Sequence, residues 1–281
     1  MHKGSIPQGL IAPAPSRYQQ RAPNMIDWKT ILYDLSDNVQ SNVIQVIPQR
    51  GKLPYNKFKN LLDNQAQEAI IETLTKNKID ATLISEEGNK IFGTGEYIIT
   101  ADPVDGTTNL SRGLQPAVLS ISVATSPHQK DVIAAIVTNF YTGESYYAEK
   151  GKRPTIDDFP IQPSQYTPFK HGLIGMDISK DPKLEKTSKI IATSRHTRQE
   201  GCSAASLCHI AEGVLDAHID LRGIVRATDI SAGLFMIKEA GGVYSLNGEV
   251  FGDLPLTREA HCTVIAANTR RLHDEVMELI E

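Results

Sequence analysis

Apolar residues recur with a helical period at the beginning of the chain. Between residues 25 and 47 they appear every three or four positions, which predicts an amphipathic helix. A loop with Gly51 and Pro54 follows, and a second helical pattern runs from about residue 63 to residue 77. Asp63 stands at the expected start of this second helix, where a carboxylate can cap free N–H groups.

The pattern then changes to short apolar or alternating segments, which predict strands. These segments cover residues 81–85, 97–101, 118–125, 131–138 and 145–149. Residues 151–168 contain four prolines and predict a loop between two halves.

Helical and strand signals follow one another irregularly beyond this loop. They predict a strand at 173–176, helices at 182–193 and 204–213, a strand at 214–219, a helix at 230–240 and a C-terminal helix from about 268. The mixed order without an internal repeat predicts a layered α/β (α+β) fold for residues 25–281, with halves at 25–150 and 151–281.

The first 24 residues differ from the rest, because they contain four prolines, three Lys or Arg residues and no acidic residue. They also lack the apolar segment of a secretory signal. We expect a disordered tail or a leader, with an organellar targeting peptide as the weaker alternative.

Composition and charge exclude several classes of protein. The chain has 281 residues, of which 40% are hydrophobic and 22% charged, as in folded proteins. A net charge of −4 gives no reason to expect nucleic-acid binding. No apolar run approaches the ~20 residues that span a membrane. Three cysteines without a C-x-x-C pair argue against disulfides or zinc, so a reducing cytoplasm is expected.

Acidic residues follow the ends of several predicted elements. Asp102 ends an apolar strand, and Asp105 follows three residues later, so one tight turn can aim both carboxylates at a common point. The Val104 carbonyl between them offers another oxygen. Because Mg²⁺ prefers oxygen ligands and retains several waters, the turn predicts a magnesium site beside a phosphate. A solvated acidic turn is the alternative. Glu86 and Asp229 are the other acidic candidates.

Two other phosphate chemistries lack their sequence motifs. The chain contains no G-x-x-x-x-G-K-[ST] segment, which excludes a P-loop enzyme. Asp102 and Asp105 are three residues apart rather than two, so the pattern gives no support to a covalent aspartyl-phosphate intermediate.

Three motifs resemble those of the inositol monophosphatase family. They are Asp102-Pro-Val-Asp-Gly-Thr-Thr-Asn109, Ile84-Ser-Glu-Glu-Gly88 and the segment from Thr228 to Gly242. The segment 220–229 looks more like archaeal members that also hydrolyse fructose 1,6-bisphosphate. The resemblance implies alternating helix and sheet layers, phosphoric monoester hydrolysis, sensitivity to lithium and a homodimer.

The resemblance also implies a metal site. Glu86, Asp102 and the Val104 carbonyl match the ligands of a first ion. Asp102, Asp105 and Asp229 match those of a second ion, and Glu86 would hold a third through waters. The expected cofactor is therefore two or three Mg²⁺ ions, with Mn²⁺ as the alternative.

The catalytic residues follow from the same resemblance. Thr107 and Asp63 together match the pair that orients and deprotonates the attacking water. Glu86 is the third expected catalytic residue, as a ligand of the metal. The N–H groups of Gly106 and Thr107 would bind the phosphate next to Asp105. Capping of the second helix is the alternative role of Asp63. The segment after Asp63 departs from the family, because Gln67 stands where a Glu is common.

Substrate binding is expected on the second half of the chain. Gly201 and Ser203 match the family's substrate loop, and Asp220 is a candidate acceptor for substrate hydroxyls. Arginine forks match phosphate oxygens, so four arginines are candidates for a second phosphate, with surface ion pairing as the alternative. They are Arg195, Arg198, Arg222 and Arg226.

Three functions remain open from the sequence. The first is a phosphatase for inositol monophosphate and fructose 1,6-bisphosphate, and the second is a 3′(2′),5′-bisphosphate nucleotidase of the same superfamily. The third is a metal-dependent binding protein without catalysis. A small phosphorylated polyol or sugar is the expected partner, and neither a nucleic acid nor a membrane is expected.

Overall fold

A computed structural model of the chain describes residues 26–182 and 184–281, so the predicted tail at 1–24 lies outside the described residues. Seven α-helices form within these ranges, and none of them is long and apolar enough to cross a membrane. They are α1 (Trp28–Val46), α2 (Tyr55–Lys76), α3 (Thr107–Arg112), α4 (Leu184–Thr193), α5 (Ser203–Glu212), α6 (Ala227–Ala240) and α7 (Arg270–Ile280).

The first sheet has the strand order β2-β1-β3-β4-β5-β6-β7-β8. Its pairs are antiparallel except for β1 and β3, which are parallel and therefore end at the same edge of the sheet. Its strands are β1 (Ala81–Ser85), β2 (Lys90–Phe92), β3 (Tyr97–Asp105), β4 (Val118–Ala124), β5 (Val132–Asn139), β6 (Ser145–Glu149), β7 (Thr155–Ile156) and β8 (Phe159–Pro160).

The second sheet has the order β10-β9-β11-β14-β12-β13. Strand β9 is parallel to both of its neighbours, and the remaining pairs are antiparallel. Its strands are β9 (Leu173–Met176), β10 (His196–Arg198), β11 (Ala217–Arg226), β12 (Val243–Leu246), β13 (Glu249–Val250) and β14 (His261–Ala267).

The helices and sheets alternate in five layers. Helices α1 and α2 share an apolar cluster with one face of the first sheet. Helices α5 and α6 share a second cluster with the other face of that sheet and with one face of the second sheet. Helices α4 and α7 cover the outer face of the second sheet. The predicted layered α/β fold is therefore confirmed.

Strand β4 shows how the chain feeds two of these layers. Leu119 and Ile121 point into the α1/α2 cluster, whereas Val118 points into the α5/α6 cluster. On the latter face the Ser122 hydroxyl forms a 2.7 Å hydrogen bond with the Ser231 hydroxyl of α6. The period of two therefore places both faces of this strand inside the molecule.

The expected start of the second helix was wrong. Helix α2 begins at Tyr55, so Asp63 lies in its third turn and cannot be its N-cap. Phe58 and Leu62 are buried and extend the apolar stripe towards the N-terminus, and Pro54 occupies the N-cap position. Packing against α1 therefore makes residues 55–62 helical, although the predicted helix begins only at about residue 63.

Several boundaries in the second half also differ from the predictions. Strand β11 begins at Ala217 rather than 214 and continues to Arg226, through a change of register relative to β14. Helix α6 therefore begins at Ala227, earlier than predicted. Strands β12, β13 and β14 were not predicted, and the predicted loop at 151–168 contains the short β7–β8 hairpin.

The division into halves at residue 150 stays a prediction. The first sheet continues to Pro160, and helices α5 and α6 form one apolar cluster with both sheets. The two sheets are thus joined by a shared core rather than by a solvated linker.

Candidate metal and phosphate site

The parallel ends of β1 and β3 place Glu86 beside Asp102. Ser85 pairs with Ala101 in the last register position, and the Glu86 N–H donates to the Ala101 carbonyl at 3.2 Å. Glu86 therefore follows β1 at the point where β3 delivers Asp102. This edge of the first sheet faces α6.

Helix α6 contributes a third carboxylate, because Asp229 lies in its first turn. One carboxylate oxygen from each of Glu86, Asp102 and Asp229 lies within 4.8 Å of the other two. The donor set consists of hard oxygen atoms and includes no sulfur or imidazole, which fits Mg²⁺ or Mn²⁺ rather than a softer metal.

Burial and the nearby negative charges raise the pKa values of carboxylates in this cluster. Burial raises the pKa of Asp102 well above its usual value, and the charges of Asp105, Glu86 and Asp229 raise it further. Burial also raises the pKa of Asp229, while Arg226 opposes the rise. A bound divalent cation would favour the ionised form of each carboxylate, so the cluster is chemically suited to hold one.

Asp105 is held in place by a contact with the start of α5. A change of register between β3 and β4 follows Asp102, and the Asp105 carboxylate accepts the Ala204 N–H at the start of α5 at 2.6 Å. Burial and the charge of Asp229 raise the pKa of Asp105 to about 8. Among the described residues, the three carboxylate oxygens that lie within 4.8 Å of one another come from Glu86, Asp102 and Asp229, and Asp105 is not one of this group.

The turn after Asp105 brings the backbone close to another segment. Gly106 has a φ of +83°, and a Cβ at this position would lie 2.9 Å from the Pro116 carbonyl oxygen. A residue other than glycine would therefore be strained and crowded here. Helix α3 starts at Thr107, whose hydroxyl donates to the Val104 carbonyl at 2.8 Å. The Val104 N–H in turn donates to Asp102 at 3.0 Å.

Asp63 reaches this turn from the middle of α2. Burial raises the pKa of Asp63 to about 7, the charge of Glu87 adds to the rise, and hydrogen bonding with Thr107 opposes it. The Thr107 hydroxyl itself donates to the Val104 carbonyl, so the catalytic pairing of Asp63 with Thr107 stays a prediction.

Gln67, one helical turn after Asp63, supports the Glu86 segment. Its side-chain oxygen accepts the Ser85 hydroxyl at 2.7 Å, and its amide donates to the Gly88 carbonyl at 3.2 Å. In the sequence, Gln67 stands out only as a departure from the family. Gln67 lies four residues after Asp63, and this spacing predicts that both side chains lie on the same face of the helix.

The loop predicted to bind substrate contacts the segment that follows Asp105. Asn109 donates to the Glu200 carbonyl at 2.7 Å, and Gly201 follows with a φ of +64°. Ser203 is the first residue of α5 and is buried next to Ala204, whose N–H binds Asp105. The loop at 200–203 is therefore held directly against the acidic motif.

The four candidate arginines have different environments. Arg222 forms two hydrogen bonds with the buried Asp220 carboxylate, at 2.9 and 2.6 Å. Arg226 contacts the carboxylates of Glu86 and Asp229. Arg195 and Arg198 are exposed near strand β10. Their predicted role in binding a second phosphate stays a prediction.

Two residues near the site were missed by the sequence analysis. Arg258 donates to the Glu86 carbonyl oxygen at 2.6 Å. Asp177 directly follows β9 and is buried, and its carboxylate lies 3.8 Å from the Arg222 guanidinium. The charge of Asp177 contributes to the raised pKa of Asp105. Neither residue lies in a recognisable motif, so only the packing of distant segments reveals them.

Two proteins that are similar in sequence to this chain are both named as phosphatases. A protein of Methanothermobacter thermautotrophicus, named fructose-1,6-bisphosphatase/inositol-1-monophosphatase, is 30% identical, over 90% of this chain and 96% of its own. A bifunctional NADP phosphatase/NAD kinase of Methanococcus maripaludis is 32% identical, over 75% of this chain and 41% of its own.

Structural comparison agrees at the level of the fold. Inositol monophosphatase-II of Staphylococcus aureus superposes with a TM-score of 0.76 at 22% identity, covering 89% of this chain and 93% of that chain. The sequence profile described as the inositol monophosphatase family matches residues 38–281. Because this match spans most of its length, the chain belongs to the inositol monophosphatase family.

Proposed function

We propose that the chain is a Mg²⁺-dependent phosphatase that hydrolyses inositol monophosphate and fructose 1,6-bisphosphate. The family and its named relatives make it a phosphoric monoester hydrolase. The observation that carries the metal dependence is the group of oxygens from Glu86, Asp102 and Asp229, which lie within 4.8 Å of one another. Burial and neighbouring charges raise the pKa of Asp102, and burial raises that of Asp229, so a bound cation would favour the ionised form of both carboxylates.

The same three residues would hold the cation, with the Val104 carbonyl and Asp105 as further oxygen ligands. When bound, Mg²⁺ would supply charge neutralisation for the phosphate and a lowered pKa for water in the site. Two or three ions, with Mn²⁺ as a substitute, remain the expectation from the family resemblance.

The chain's own groups would move a proton and hold the phosphate. Asp63, whose pKa burial raises to about 7, would accept the Thr107 hydroxyl proton once that hydroxyl turns from the Val104 carbonyl, and the hydroxyl would take a proton from the attacking water in its place. The N–H groups of Gly106 and Thr107 would bind phosphate oxygens at the beginning of α3.

The choice of substrate rests on the relatives and on the substrate loop. A relative is named for both fructose 1,6-bisphosphate and inositol monophosphate, and the loop at 200–203 contacts the acidic motif. Arg195 and Arg198 are the exposed candidates for a second phosphate, whereas the Arg222 fork is engaged by Asp220. We therefore propose that Asp220 orients Arg222 rather than binding hydroxyls itself.

A nucleotide phosphatase is the second candidate. The relative named NADP phosphatase/NAD kinase favours a phosphate on a ribose hydroxyl as an alternative substrate. For either substrate class, the family resemblance predicts a homodimer that light scattering would detect.

The test combines substrates with one substitution. The purified chain should release phosphate with Mg²⁺ from inositol 1-phosphate and fructose 1,6-bisphosphate, and less from NADP or adenosine 3′,5′-bisphosphate. Asp102→Asn should abolish turnover while circular dichroism remains unchanged, because it removes a charge from the centre of the cluster. Full activity of this variant, or no hydrolysis of any substrate by the wild type, would contradict the proposal.

A further inference from the structure

Arg226 connects two of the proposed cation ligands. One terminal nitrogen of its guanidinium, Nη1, lies 2.8 Å from a Glu86 carboxylate oxygen, and the other, Nη2, lies 3.1 Å from Asp229 Oδ1. Its Nε and its backbone N–H both donate to Asp229 Oδ2, at 3.3 and 3.1 Å. The side chain is 32% exposed, so these contacts are only partly screened by water.

The charge of Arg226 is permanent. A guanidinium is not deprotonated at any pH at which proteins are folded, so Arg226 stays positively charged. The acidic cluster thus always contains one positive side chain.

Other residues already hold the two ligands in position. The Glu86 segment is anchored by Arg258 at its carbonyl oxygen and by Gln67 at the neighbouring Gly88. Asp229 is fixed within the first turn of α6, where the Thr228 hydroxyl donates to Asp229 Oδ1 at 2.9 Å. Arg226 adds further hydrogen bonds to Asp229 and, unlike Thr228 and Gln67, a positive charge.

We propose that Arg226 is a built-in competitor of the divalent cation, an inference that rests on the proposed function. The guanidinium and the cation bind the same carboxylates of Glu86 and Asp229, and like charges at this separation repel. Arg226 therefore stabilises the folded protein before the cation binds and lowers the affinity of the site for it. Arg226 is accordingly a residue that tunes metal affinity rather than one that binds a second phosphate.

A purely structural role predicts the opposite effect on cation binding. If Arg226 served to position Glu86 and Asp229, its removal would loosen the ligands and weaken binding. If it competes with the cation, its removal lowers stability without the cation but strengthens binding. The sign of the change in cation affinity separates the two roles.

Arg226→Gln is the informative substitution, because glutamine keeps amide donors and removes the charge. After treatment with EDTA and dialysis, calorimetric titration with MgCl₂ and with MnCl₂ should show binding about tenfold tighter than in the wild type. The unfolding temperature of the same sample without divalent ions should be lower. Arg270→Gln removes an equal charge from an exposed ion pair on α7 and should leave the cation affinity unchanged.

Arg226→Lys provides a second test that does not depend on the glutamine variant folding. Lysine keeps the charge but loses the fork, so the cation affinity should stay within about twofold of the wild type. Unchanged or weaker binding by folded Arg226→Gln, or strongly weakened binding by Arg226→Lys, would overturn the inference. Either result leaves the proposed phosphatase function intact if the wild type still binds Mg²⁺ and releases phosphate.

Discussion

At the scale of single residues, Asp63 illustrates how burial gives a common side chain an uncommon property. It lies inside α2, where burial and the nearby Glu87 raise its pKa to about 7. An ordinary aspartate is fully ionised at neutral pH and is a weak base. With its pKa near neutrality, Asp63 can accept a proton and still be ionised at the working pH.

Asp63→Asn should lower kcat by about 10²- to 10⁴-fold, the usual contribution of a positioned general base. Because Asp63 accepts a proton only when ionised, wild-type kcat should rise as the pH increases through about 7, and the variant should lose this rise. Phosphate release measured between pH 5.5 and 9 gives both results. Glu68→Gln, an exposed acid on the same helix, is the control and should behave as the wild type. A variant that keeps both rate and profile would exclude Asp63 from proton transfer.

At the scale of elements, the contact between α5 and α6 fixes the acidic site. Helix α6 carries Asp229, and the first turn of α5 binds the Asp105 carboxylate. The helices approach closely at Gly233, where a Cβ would lie 2.6 Å from the Leu207 Cβ. Glycine is unfavourable in a helix by about 1 kcal/mol relative to alanine, so its presence here reflects packing.

Gly233→Ala should destabilise the protein by about 1–3 kcal/mol, because overpacking outweighs the gain in helix propensity. Urea unfolding of the single variant measures the effect. The penalty of Gly233→Ala should shrink in a Leu207→Gly background, because only that substitution removes the Leu207 Cβ that would lie 2.6 Å from the added methyl group. If Gly233→Ala instead increased stability in the wild-type background, the close approach of the two helices would be wrong.

At the scale of the whole molecule, the proposed cation site joins segments from both sheets. Glu86 and Asp102 lie at the edge of the first sheet, whereas Asp229 comes from the helix that follows β11 of the second sheet. A ligand that binds only the folded state stabilises it by mass action, by about 2.7 kcal/mol at a concentration one hundred times its Kd. Cation binding is therefore expected to stabilise the folded state in addition to its proposed role in catalysis.

MgCl₂ should raise the unfolding temperature of the wild type in a concentration-dependent way, and Asp229→Asn should remove most of this rise. Differential scanning calorimetry after EDTA treatment gives the comparison. Asp216→Asn is a useful control, because Asp216 accepts hydrogen bonds from Ser164 and from the Leu173 N–H. That variant should start from a lower unfolding temperature and keep its response to Mg²⁺. An unchanged response of Asp229→Asn would argue against Asp229 as a ligand.

Local information in the sequence determined the motifs, the fold class and most of the elements that precede residue 150. The spacing of Asp102 and Asp105 in one short turn is fixed by the covalent chain, and strands with clear alternation, such as β4, were readable directly. The positions of Glu86 and Asp229 at the ends of predicted elements made both candidates, and the family resemblance predicted that they share one site with Asp102.

Only the tertiary structure decided which side chains face one another. Asp63 belongs to the interior of α2 because packing on α1 extends that helix, and Arg226 is paired with Glu86 although the two lie far apart in sequence. Strands β12, β13 and β14 form through pairing with one another and with β11, which their own sequence patterns did not predict. Periodicity reports how one segment alternates, whereas burial, ion pairing and raised pKa values arise from distant segments that share a volume from which water is excluded.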